Sequence, residues 1–333
     1  MSHEKCLRIP SEDATMSMSE FEPIFSLDGA TVSQSPWGVD DDIGRLNMMT
    51  TESRVAVLAD ADPRRVFDLA VDYFLGMPSW VAAGDPRYQI WMTHTPEGSA
   101  NDRMSGASAA VHEKYSYCGD SISMYTHTGT HIDMLNHLGY YGRFWNGRTA
   151  QQDLGSRHWL RGGAGACPPI VARGVLLDVA ALKNVACLPD SYCISPDDLQ
   201  EASRCQGTPL RPGDVVLIRT GRMSVWPDVE GYLRSTPGIG LAAARYLCKE
   251  AGAMCIGTDA ASIDVDPHLE EDTFVPVHGY LFATEGVPVI EVLNLEELSA
   301  QQVFEIAFIG MPLKLSGATG SPIRPIGFPL THA

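Results

Sequence analysis

Apolar and polar positions follow two alternating rhythms over the second half of the chain. GVLLDVAAL at 174–182 and DVVLIRTG at 214–221 are continuous apolar runs of the kind that strands buried on both faces carry. AMCIGTDAASID at 253–264 and VPVIEVLNL at 287–295 repeat that pattern. Between them, GIGLAAARYLCKEAGA at 238–253 puts Ala and Leu on one stripe before a Gly stop, which predicts a helix. Strands alternating with helices predict one mixed α/β domain rather than two domains. Upstream, RVFDLAVDYFLGM at 65–77 predicts a strand closed by Gly76 and Pro78, and SPWGVDDDIGRLNMMT at 35–50 a turn feeding a short helix. Residues 1–34 are polar and uncapped and read as an N-terminal arm. Residues 35–333 then form the domain, with an aperiodic insertion around 81–118 of a length that is usually functional or mobile.

Composition narrows the classes. The 333 residues carry a net charge of −17, which repels a polyanion and excludes nucleic acid as the natural partner. Charged residues are 20% and hydrophobic ones 44%, a globular balance. No stretch approaches the ~18 apolar residues of a membrane span, and the first thirty residues contain no apolar signal region. The expected location is the cytoplasm. Eight cysteines lie scattered without CxxC spacing, so buried thiols are expected, Cys255 above all. The pieces GGAGA and GATGS lack the spacing of a phosphate loop, which argues against a nucleotide cofactor.

Chemistry concentrates in one place. SISMYTHTGTHIDMLNHLGYYG holds His127, His131, Asp133 and His137, four groups that ligate first-row metals or move protons. Ile122 and Met124 alternate with serines, so a strand runs into the motif. On a continuing strand His131 and Asp133 share a face, with Cβ atoms about 6 to 7 Å apart, whereas His127 would lie roughly 13 Å away. The chain must therefore bend, and Thr128-Gly129 is where it can. Two imidazoles and a carboxylate leave positions open on a cation, which is a catalytic rather than a structural pattern. His137 is the natural acid/base, since an imidazole titrates near neutral pH. The bland alternative makes these histidines hydrogen-bonded core or cap residues. Zn²⁺ and Mn²⁺ suit the set equally.

HTGTHIDMLNH resembles the HxGTHxDxxxH signature of the cyclase-like metal hydrolases, which include kynurenine formamidase and isatin hydrolase. SPWGVDDDIGRLN, LRPGDVVLIRTG, GTDAASID, VHGYLFATEGVPVIEVLNL and GATGSPIRP agree with it, over most of residues 35–327. The resemblance implies a swivelling β/β/α fold. It assigns His127, His131 and Asp133 to a first ion, His137 to proton transfer, and His278 and Glu291 to a second ion bridged by Asp133, so one or two ions bind. It implies a small-molecule substrate and a homodimer or homotetramer. FLGMPSW nominates Trp80 as a substrate wall, with a core or lid role as the alternative. Trp91 and His94 of the insertion are weaker candidates for the same wall. Glu285 reads as an exposed loop acid, and Asp259 and Asp264 as buried acids bonded to amides. Arg324 reads as the partner of a substrate carboxylate or of an acid within the chain, the second being preferred, and Gly317, Gly320 and Pro322 as turn chemistry. The expected activity is hydrolysis of a small amide, lactam or lactone. The alternatives are a cyclase or dehydratase on a small carbonyl compound, or a non-catalytic member of the fold.

Overall fold

The computed structural model describes residues 21–102, 106–269 and 273–331. Along the chain the strands are β1 (Pro23–Leu27), β2 (Ala30–Ser33), β3 (Phe67–Asp68), β4 (Gln89–His94), β5 (Gly119–Ser123), β6 (His131–Asp133), β7 (Ile170–Asp178), β8 (Cys193–Ile194), β9 (Val215–Arg219), β10 (Gly238–Ile239), β11 (Cys255–Thr258), β12 (Val289–Glu291), β13 (Glu305–Gly310), β14 (Gly320–Pro322) and β15 (Ile326–Pro329). Nine of them make one mixed sheet, in the order β14-β6-β12-β11-β9-β7-β13-β15-β3. The central four, β12, β11, β9 and β7, run parallel, and the flanking pairs are antiparallel.

Both faces of the central strands are covered, which is why their sequences are apolar without a gap. Val175, Leu177, Val216, Ile218, Ile256 and Val289 point into one core, against the helix Pro196–Gln206 and the helical stretch 241–250. Leu176, Leu217, Cys255, Ile290 and Ile132 point into the other, against Leu46, Leu295 and Leu298. Ser195 and Asp198 form a reciprocal cap on the Pro196–Gln206 helix, and Gly207 closes it at φ 69.

Several expected elements are shorter than their apolar runs. Of 65–77 only Phe67–Asp68 pairs in the sheet, although Leu69 and Val71 stay buried. The 253–264 run enters the large sheet only over Cys255–Thr258, with Asp264 making a lone bridge to Ile239. The 287–295 run stops at Glu291, because Val292 turns out of the ladder at φ 58. The 238–253 helix begins at Leu241 and widens into a π-turn over Tyr246–Glu250. Pro23–Ser33, assigned to a loose arm, is an antiparallel ribbon of β1 and β2; residues 1–20 of that arm lie outside the described residues. The 81–118 insertion contains β4, which pairs with β5 just beyond it, and the helices Pro96–Asn101 and Ala109–Lys114 lie between the two strands. Among the described residues no helix is long and apolar enough to cross a membrane.

Candidate metal centre

The motif is bent where the sequence requires it. Gly129 sits at φ 64, and a Cβ there would meet the Tyr73 ring at 2.8 Å, so both conformation and space demand glycine. Thr130 pins the bend. Its hydroxyl donates to Val292 O at 2.6 Å, and its carbonyl accepts from the Tyr73 hydroxyl at 2.9 Å. β6 then runs antiparallel to β12 with His131 opposite Glu291 and Asp133 opposite Val289. Ile132 faces the second core, so the pleat turns His131, Asp133 and Glu291 together to the other side. Glu291 is the last residue of a parallel strand, and the cluster gathers at carboxyl ends, where open α/β sheets place their sites.

Asp133 is the hub. Its Oδ1 is met by His127 Nδ1 and, at 3.2 Å, by His131 Nε2; its Oδ2 lies 3.5 Å from His278 Nε2 and 3.9 Å from His137 Nε2. Glu291 closes the ring, with Oε1 3.2 Å from His278 Nε2 and Oε2 3.5 Å from His131 Nε2. Donor atoms of His127, Asp133 and His137, and of His131, Asp133 and Glu291, lie within 4.8 Å of one another. One carboxylate thus faces two groups of imidazoles with its two oxygens. The hydrogen bonds behind the imidazoles aim them inward. His131 Nδ1 donates to Gly129 O at 2.8 Å, and His278 Nδ1 meets Asp264 Oδ2 at 2.5 Å. An outward bond from one ring nitrogen, with the other directed at a carboxylate, is the arrangement of metal-ligating histidines.

Electrostatics agree. Burial disfavours charge on Asp133, but the imidazoles of His127, His137 and His131 outweigh it and hold the carboxyl well below its ordinary range. Burial likewise opposes charge on His131 and His278, yet the carboxylates around them raise both. The pocket therefore favours positive charge, which a metal ion held by these donors would supply in place of those protons. The donor set fits such an ion. His137 departs from the near-neutral imidazole expected of it: burial and the neighbouring imidazoles push it down to about 3 despite Asp133. It stacks on His127 at 4.0 Å, and its side chain is 25% exposed while the other five groups are at most 7% exposed.

The other candidates sort themselves by position. Trp80 is half-buried against the Val71, Met223, Tyr232, Ala261 and Val292 cluster, which adjoins the bend at Thr130. Trp91 is half exposed on β4, and the His94 ring makes a tilted contact with Tyr117, just before β5, at 5.2 Å. Asp264 accepts from Val277 N and His278 N and also holds the His278 ring. Asp259 accepts from Thr220 N and Gly221 N. Arg324 pairs with Asp68 at 2.6 Å on the surface. Glu285 corrects its expectation. It is fully buried between Arg45 at 2.6 Å and Lys249 at 2.8 Å, because the π-turn Tyr280–Thr284 swings it inward. Gly320 is a strand residue rather than a turn residue, and a Cβ there would strike the His127 ring at 2.6 Å.

Tyr125, Thr319 and Phe282 escaped the sequence reading. The Tyr125 ring lies 4.8 Å from that of His127, and the Thr319 hydroxyl is 2.9 Å from His127 Nε2. Phe282 contacts the rings of both His137 and His278. Their spacing to the ligands, two residues before His127 and four after His278, was the available signal.

Comparison with known proteins places the chain. The Cyclase family model matches residues 67–265. Cyclase-like protein 3 of Oryza sativa subsp. japonica is 25% identical over 264 residues, 78% of each chain. A solved structure described as a novel cyclase superposes with a TM-score of 0.78 at 26% identity, covering 89% of this chain and 99% of that one. Isatin hydrolase A from Ralstonia solanacearum shares the fold, with a TM-score of 0.59 at 20% identity over 84% of this chain and 97% of its own.

Proposed function

The chain belongs to the cyclase family, and on that premise we propose that it is a metal-dependent hydrolase of a small amide, lactam or lactone. The observation that supports this reading is the division of labour around Asp133: five buried donors converge, and one partly exposed imidazole stands beside them with its nitrogen free to exchange a proton. His127, His131, Asp133, His278 and Glu291 would hold one or two ions, Zn²⁺ or Mn²⁺. A divalent cation so held supplies Lewis acidity for a carbonyl and lowers the pKa of water. His137 Nε2 accepts a proton from the attacking water and returns it to the leaving nitrogen or oxygen. Asp133 beside it stabilises the imidazolium in between. Phe282 and the His127 ring fix the His137 plane and keep bulk water from its flank. Asp264 holds His278, and Gly129 O holds His131, in the tautomer that leaves each Nε2 free to ligate. Trp80 we take as a wall for the substrate, and the working form as a homodimer or homotetramer, which light scattering on purified protein tests.

The reading is tested by turnover of kynurenine formamide, isatin and a dienelactone with added Mn²⁺ or Zn²⁺. His137→Ala should keep its metal content and lose roughly 10²- to 10⁴-fold in kcat, the range that general acid/base groups contribute. A variant with wild-type kcat removes His137 from the mechanism.

A further inference from the structure

Around the cluster, tyrosine hydroxyls differ in what they are committed to. Tyr73 donates to Thr130 O at 2.9 Å, and Tyr232 donates to Asp259 O at 2.8 Å; both hold backbone in place. The Tyr125 hydroxyl has no hydrogen-bond partner among the described residues, and the residue is only partly buried. Its ring is nonetheless anchored. It is half-buried, inclined 36° to the His127 imidazole at 4.8 Å, and follows directly on β5, so the ribbon and the motif bend fix both ends of its segment. Burial foremost, and then the charges of Asp85, Asp133 and Glu291, hold the phenol in its neutral form.

A neutral phenol offers one donor with a fixed direction. Here the ring is held by packing and the hydroxyl is left for something that is not protein. Tyr125 and His137 are the two aromatic rings in contact with the His127 ring that remain partly exposed, beside the part-buried Thr319 hydroxyl, whereas the donors themselves are buried. The partner's sign follows from the chemistry of the phenol: an uncommitted O–H among the carboxylates of Asp133, Glu291 and Asp85 is a donor that suits an oxygen acceptor. We propose that Tyr125 is a substrate-binding residue whose phenol donates a hydrogen bond to the carbonyl oxygen of the acyl group handled at the Asp133 centre, and to the carboxylate oxygen of the acid released. This rests on the hydrolase reading above, and it adds a residue to the site that orients substrate without ligating a metal.

The test uses the full-length protein loaded with Mn²⁺, wild type and Tyr125→Phe, which keeps the ring and its contact with His127. Three quantities are read: Mn²⁺ affinity by titration, benzoate affinity by calorimetry as a probe of carboxylate binding, and kcat/KM on the three substrates named above. Mn²⁺ affinity should stay within about twofold. Benzoate affinity should fall about ten- to hundredfold, the loss expected for one hydrogen bond to a charged acceptor. Unchanged benzoate affinity in the variant overturns the proposal, as does wild-type holoprotein that binds no benzoate. A variant that loses Mn²⁺ overturns it too, since the ring would then be acting through His127. If wild type turns over none of the substrates while benzoate affinity still falls in the variant, the donor assignment stands and the hydrolase reading fails. If wild type turns them over and the variant matches it in kcat/KM and benzoate affinity, the hydrolase reading stands and the donor assignment fails.

Discussion

Asp264→Asn isolates what holds a ligand from behind. In the wild type, Asp264 Oδ1 accepts from Val277 N at 2.8 Å, and Oδ2 accepts from His278 N at 3.1 Å and from His278 Nδ1 at 2.5 Å. An amide can keep only one of these oxygens. If its oxygen serves His278, its NH₂ faces the Val277 N–H, donor against donor; if it serves Val277, both His278 donors lose their acceptor. Either way at least one charge-assisted bond goes, worth about 1.5–3 kcal/mol, and in the second arrangement the His278 tautomer is no longer enforced. Expressed as metal binding this is roughly 10- to 100-fold, the usual effect of removing the group behind a ligating histidine. Titration of apo protein with Mn²⁺ or Zn²⁺ measures it, with unfolding of the metal-free forms followed in parallel. Affinity within about twofold of wild type would show that Asp264 merely caps the short helix Pro276–Gly279 and does not aim the ring.

Two further outcomes follow from buried charge. Arg45→Met removes bonds to Glu285 Oε2, Glu285 O and Cys248 O and leaves a fully buried carboxylate with Lys249 alone. It should cost about 3–5 kcal/mol, a fall of about 5–15 °C in Tm by circular dichroism, and Arg45→Met combined with Glu285→Leu should recover part of it. Equal losses in the single and double variants would show that the charge was not the cause. For Asp259, burial raises the carboxyl to about 6 against the lowering by Thr220. The folded state thus holds a proton more tightly than the unfolded one, so this group's stabilisation is complete below about pH 4 and is lost as pH rises through about 6, by roughly 3 kcal/mol in all. Asp259→Asn should flatten that part of the denaturation curve, and a variant with the wild-type slope between about pH 4 and 6 would contradict the assignment.

What the sequence revealed of the site was what short spacing controls. His131 and Asp133 two apart on a strand, and a glycine where His127 had to swing back, are local facts, and the fold keeps both. Membership of His278 and Glu291 followed from resemblance, because the contacts that bring them to Asp133 run between residues 145 and 158 positions apart, and no periodicity encodes such contacts. Glu285 shows the opposite failure. An acid in a Thr-Glu-Gly stretch looks solvated, yet Arg45, 240 residues earlier, folds onto it. Strand lengths were overread for a related reason: apolar runs report burial, and residues such as Leu69 and Val292 are buried without entering the ladder.

The nine-stranded sheet ends in its shortest members. β14 has three residues and finishes in Pro322, which has no N–H to offer, and β3 at the opposite border has two. Exposed sheet borders recruit foreign strands, and brevity and proline are the standard protections. The border beside His131 is therefore sealed against templated aggregation at the place where the chain keeps its most reactive side chains. Concentrated preparations should resist cross-β growth from this sheet, leaving the exposed β4–β5 ribbon, with Ile90 facing Ile122, as the stretch where colloidal stability is decided.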